Sequence, residues 1–93
     1  MTPHRTTPIF DADTLPAGLR KQHSTKAGVW GIVRVLEGSL HLDFGDGQPP
    51  QVVAPGSPGL LLPEQPHWVT PQPSMRMQVE FYRARPALEP GDV

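Results

Sequence analysis

The chain contains no cysteine, which excludes disulfides, thiolate metal sites and cysteine nucleophiles and is compatible with a reducing compartment. It also lacks a helical period: no eleven-residue stretch repeats its apolar positions at the spacing of an amphipathic helix. That removes a doubly wound α/β architecture. Charge of one sign is not in excess, since eight lysine and arginine side chains face nine aspartates and glutamates for a net charge of -1. Arg20, Lys21 and Lys26 are the only close basic group, so nothing marks a nucleic-acid binder. The opening stretch MTPHRTTPIFDADTLPAGLR carries charges and three prolines but no apolar run of signal-peptide or membrane length, so a soluble, cytoplasmic protein is expected.

What is abundant is turn chemistry. Thirteen prolines and nine glycines punctuate short apolar runs, the way an all-β chain with tight turns is written. With 93 residues there is room for one domain, and a chain of this size buries only roughly 60–65% of its unfolded surface. The core is thin, which favours pairing into a homodimer.

The strongest strand is GVWGIVRVLEG, from Gly28 to Gly38, with Val29, Gly31, Val33 and Val35 on one face and Trp30, Ile32, Arg34 and Leu36 on the other. Both faces are largely apolar, so one is expected inside the domain and the other against a second sheet or a second subunit; in a homodimer the face carrying Trp30, Ile32 and Leu36 is the one expected to be covered. A turn at Glu37-Gly38 leads into SLHLDF, which alternates with period two. Asp46-Gly47 turns the chain toward a return strand at Gln51 to Ala54. Gly59 to Leu62 reads as a short buried strand, His67-Trp68-Val69 as the start of the next, and Met75 to Arg83 as the last. Before these, Thr6 to Phe10 is a candidate edge strand, because Pro8 cannot donate to a ladder. Asp13 or Thr14 is a candidate N-cap for one helical turn containing Pro16, Leu15 and Leu19. The expected ordered core runs from about residue 7 to 83, with a loose tail over 85–93.

Imidazole is the strongest transition-metal ligand type present apart from carboxylate. In PGSPGLLLPEQPHWV, prolines on both sides of Glu64-Gln65 stiffen the approach to His67 and hold it at low entropic cost. His41 falls on the polar face of its strand and His4 lies near the terminus, so both read as solvated. Trp30 and Trp68 read as core or interface aromatics.

GVWGIVRVLEGSLHL followed by PGSPGLLLPEQPHWV resembles the two halves of the cupin signature. The run QHSTKAGVWGIVRVLEGSL, the proline-rich segment ending in HWV and the terminal VEFYR resemble, more closely, the TehB/YeaR-like family of small cupin-like domains. Members occur alone or ahead of a tellurite-resistance methyltransferase. The resemblance spans about Thr7 to Arg83 and implies a compact antiparallel β-sandwich or barrel of jelly-roll type; the methyltransferase itself is absent, so its activity is not implied. Metal-binding cupins use an H-x-H pair, a glutamate and a later histidine. Counting back from Gly38, the glutamate position here holds Gly31, and the two histidine positions hold Lys26 and Ser24. Only His67 matches, with His23 one residue out of place.

The resemblance therefore implies a pocket at His67 and His23. Glu80 is the expected carboxylate, preferred to Glu64 because a mid-strand side chain keeps a fixed direction. Such a set suits divalent zinc, nickel or iron. Lys26, at a metal-ligand position of the pattern, is the expected contact if the ligand is instead an anion. Three functions remain open on sequence: a module binding a metal ion or small oxyanion under metalloid or nitrosative stress, a metal-dependent enzyme using His67 and His23, and a dimeric interaction module with a vestigial pocket.

Overall fold

The β-branched run of the long central strand organises the molecule, whose computed structural model describes residues 2–87. This strand, numbered β3 (Trp30–Glu37), follows the short β1 (Arg5–Thr6) and β2 (Phe10–Asp11) and precedes β4 (Leu40–Asp43) and β5 (Gln51–Val53). Next come β6 (Gly59–Leu61), β7 (Trp68–Pro71) and β8 (Arg76–Tyr82). The pairing is antiparallel throughout these strands and forms two sheets, one ordered β1-β8-β3-β6 with β2 also on β8, the other β5-β4-β7. The fold is all-β, a two-sheet sandwich.

Inward residues of both sheets meet in one apolar core built from Val33, Val35, Leu40, Leu42, Val53 and Met77 with their neighbours. Gly59 lies at a close approach of the sheets, since a Cβ there would stand 2.7 Å from Leu42 Cδ2 and 3.1 Å from Val53 Cγ2. Gly38 takes φ +69° in the turn between β3 and β4, a conformation suited to glycine.

The expected edge strand at Thr6 to Phe10 is instead two separate two-residue strands, both paired with β8. Pro8 has no N–H to continue the ladder, and Thr7 bridges the break by donating its N–H to the Val79 carbonyl while its hydroxyl accepts the Val79 N–H, each at 2.9 Å. The ordered chain thus begins before residue 7. Neither Asp13 nor Thr14 caps the helical turn, which has Pro16 at its N-cap and no side-chain cap; Asp11 Oδ1 closes the turn before it by accepting from the N–H groups of Asp13 and Thr14 and from the Thr14 hydroxyl. The only helical turn among the described residues is a 3-10 turn at Ala17–Arg20. After β8, Pro86 is buried while Ala84, Arg85 and Ala87 are exposed; the rest of the expected tail, residues 88–93, lies outside the described residues.

The outward face of β3 differs from the bare apolar strip that the sequence suggests. Ile32 is fully buried within the chain itself, flanked in register by Leu60 and Glu80. Beside it, the Glu80 carboxylate accepts from Arg34 Nε at 3.0 Å and from the Tyr82 hydroxyl at 2.9 Å. Leu36 is the exposed apolar residue of that face.

Candidate functional site

Two short bridges outside the regular strands fasten the segment before β3 to the loop between β6 and β7. One pairs Thr25 with Pro63 and the other pairs His23 with His67. In the second, His67 N–H donates to the His23 carbonyl at 2.8 Å and His23 N–H donates back to that of His67 at 3.0 Å. The loop is shaped by its own residues. Gln65 closes it through the Leu62 N–H to Oε1 and its own N–H to the Leu62 carbonyl, both at 3.2 Å, while Glu64 turns the chain at φ +61°. Prolines at 63 and 66 restrict what remains.

The bridge brings the two imidazoles face to edge, with ring centroids 4.2 Å apart and planes at 65°. His67 Nδ1 lies 2.8 Å from the Gln65 carbonyl, and His23 Nδ1 lies 2.8 Å from the Lys21 carbonyl. A carbonyl only accepts, so each Nδ1 carries the proton in that contact, and in the neutral ring each Nε2 keeps its lone pair. Among the described residues neither Nε2 has a hydrogen-bond partner, yet no buried side-chain nitrogen or oxygen is left unpartnered. Both Nε2 atoms are therefore reached from open space. Both histidines line a cavity of about 120 Å³, together with Val33, Leu61, Val69, Met77, Val79 and Phe81, close in size to one of roughly 150 Å³ that takes up benzene.

His67 is only 2% exposed, and burial pushes its pKa below the ordinary histidine value, with the charge of His23 acting the same way and the Gln65 carbonyl opposing. A depressed folded-state pKa means that the unfolded chain takes up the proton first as pH falls. The expected result is stability that is fully present above about pH 6.5 and is lost progressively below it. Urea midpoints of wild type and His67→Gln from pH 8 to 5 check this, the difference between them isolating His67. Parallel profiles contradict it.

The structure brings together His67 and His23 and leaves the other candidates elsewhere. Glu80 is a correction: its neighbours Val79 and Phe81 line the cavity, so strand alternation turns Glu80 to the opposite face, where Arg34 and Tyr82 hold its carboxylate. Lys26 is exposed and stands away from the imidazoles, on an outer cleft shared with Arg5, Arg83 and His4. Glu64 is exposed in its loop, and His41 is half-buried in β4 opposite Thr70 and Val52. The full cupin ligand set does not fit. Gly31 supplies no donor side chain, and among the described residues no three His, Cys, Asp or Glu side chains gather. What the structure brings together is two imidazoles. The reading from sequence missed Arg5, Arg83 and the Arg34–Glu80–Tyr82 group; for the last, the alternation of β8 was the available signal.

Fold and site together define a small antiparallel β-sandwich domain with an apolar cavity lined in part by a histidine pair. The sequence profile of the TehB-like domain matches residues 5–79, and the chain belongs to that family. No curated protein matches. Among solved structures, a protein from E. coli (strain K12) superimposes with a TM-score of 0.75 at 22% identity, covering 91% of each chain. TehB from Haemophilus influenzae does so with a TM-score of 0.74 at 25% identity over 85% of this chain. The chain spans 30% of that TehB structure. No helix among the described residues is long and apolar enough to cross a membrane.

Proposed function

We propose that this domain is a binding module that takes up a divalent metal ion, zinc, nickel or ferrous iron, through Nε2 of His67 and His23. The observation that supports the reading is the pair of Nδ1 contacts to backbone carbonyls, which leave Nε2 free on two histidines that line one cavity. Backbone carbonyls bound to the far nitrogen are the usual way proteins fix the tautomer and orientation of a metal-binding histidine. Paired lone pairs recognise a Lewis acid and repel an oxyanion, so at this spot the ligand is a cation. Two protein ligands leave coordination positions for water or a further ligand, which suits reversible uptake more than a structural centre. The metalloid or nitrosative stress context implied by the family resemblance is the setting in which such uptake is proposed to act.

Elemental analysis tests this directly. Protein purified without a histidine tag and equilibrated with micromolar zinc, nickel or ferrous iron is expected to retain close to one equivalent of at least one of them after gel filtration. Recovery free of all three contradicts the reading.

A further inference from the structure

We infer that the cleft lined by Arg5, Lys26 and Arg83 binds a small organic acid by its carboxylate. The cleft measures about 460 Å³, within the roughly 300–1,000 Å³ of small-molecule pockets and far larger than a bare inorganic oxyanion needs. Arg5 comes from β1, Lys26 from the loop before β3 and Arg83 from the residue after β8. Pairing of Arg5 with Phe81 in the β1–β8 register draws the two ends of the chain to one place. His4 lines the same cleft.

Three cationic side chains around one concavity, in a chain whose net charge is -1, repel one another unless something offsets them. No aspartate or glutamate lines this cleft or the adjoining histidine cavity. The ion pairs among the described residues are Arg34–Glu80 and Arg76–Glu37, so Arg5, Lys26 and Arg83 have no carboxylate partner there. Concave walls focus such a field and raise the local concentration of anions, and guanidinium groups match a carboxylate with paired N–H donors. The remaining lining says what the rest of the ligand is. Ala27, Val29 and Phe81 give the cleft an apolar wall, and the Arg5 guanidinium sits 5.8 Å above the Phe81 ring, a cation–π arrangement that fixes both. Ser24, Thr25 and Phe81 border the cleft and the inner cavity alike. An acid with a short apolar body therefore places its charge on the cations and its body on Phe81.

This inference is independent of the metal reading, and its test is run with a chelator present so that the two fail separately. Amide shifts of ¹⁵N-labelled protein are followed during titration with benzoate and with inorganic phosphate at low salt. Benzoate is expected to saturate at millimolar concentration with the largest shifts at Thr25, Lys26 and Phe81, and phosphate to bind more weakly. Lys26→Gln and Arg5→Gln should each weaken benzoate by about fivefold, while Arg76→Gln, which removes an exposed cation elsewhere, leaves it unchanged. Absence of saturation, equal binding by Lys26→Gln and wild type, or an equal loss in Arg76→Gln overturns the site. Tighter binding of phosphate than of benzoate overturns the assignment to an organic acid.

Discussion

Replacement of His67 by alanine is expected to weaken binding of the preferred divalent ion by more than about 100-fold in calorimetric titration. Loss of an outer-shell partner alone costs roughly 10–100-fold at metal sites, and His67 is proposed as one of only two protein ligands. The remaining imidazole of His23 cannot fix an ion's position by itself. His23→Ala should lose a comparable factor, whereas His41→Ala and His4→Ala should lose nothing, since both lie outside the cavity. The backbone bridge between residues 23 and 67 does not depend on either side chain, so the sandwich should survive; a near-native far-ultraviolet spectrum confirms that the loss is local. Equal affinity in wild type and His67→Ala contradicts the proposed site.

The second large effect is on stability and separates Glu80 from the binding site. Glu80→Leu removes the acceptor for Arg34 and for the part-buried hydroxyl of Tyr82. An unpaired buried donor costs about 1–3 kcal/mol. The lower part of that range applies, because the Arg34 side chain is 35% exposed and water can take the place of the carboxylate. For a domain of this size about 1 kcal/mol corresponds to a melting shift of roughly 4–8 °C. The same carboxylate helps to hold the Tyr82 hydroxyl protonated, after the larger effect of burial. Metal affinity should be unchanged in this variant, because Glu80 and the imidazoles lie on opposite sides of the sheet. A steep loss of metal binding would restore Glu80 as a ligand and contradict the geometry.

How far these features could be read from sequence follows from the distance over which each is decided. The inner face of β3 was legible, because Gly31, Val33 and Val35 alternate locally with Trp30, Ile32 and Arg34. His67 was legible too, since the prolines that stiffen its loop are its near neighbours. Glu80 was misplaced although the alternation of Val79 and Phe81 around it carried the answer; preference for a rigid carboxylate outweighed the parity of the strand. The isolated strands either side of Pro8 depend on which residues of β8 face them. His23 came close only through a degraded motif, and its contact with His67 is made by two non-strand segments that no local pattern pairs. Arg5 and Arg83 were not legible at all, being neighbours only because β1 closes onto β8 from the far end of the chain.

The central claim is that the imidazoles of His67 and His23, each with its proton on Nδ1, present their Nε2 atoms to one cavity. Long-range ¹H–¹⁵N correlation spectra of the histidine rings at pH 7.5, recorded during titration with zinc, test it most directly. The account predicts the Nδ1–H tautomer for both His67 and His23 before metal is added, and stoichiometric shifts of both Nε2 resonances as zinc enters, with His4 and His41 unmoved. An Nε2–H tautomer at His67, or zinc shifts confined to His4 and His41, contradicts it.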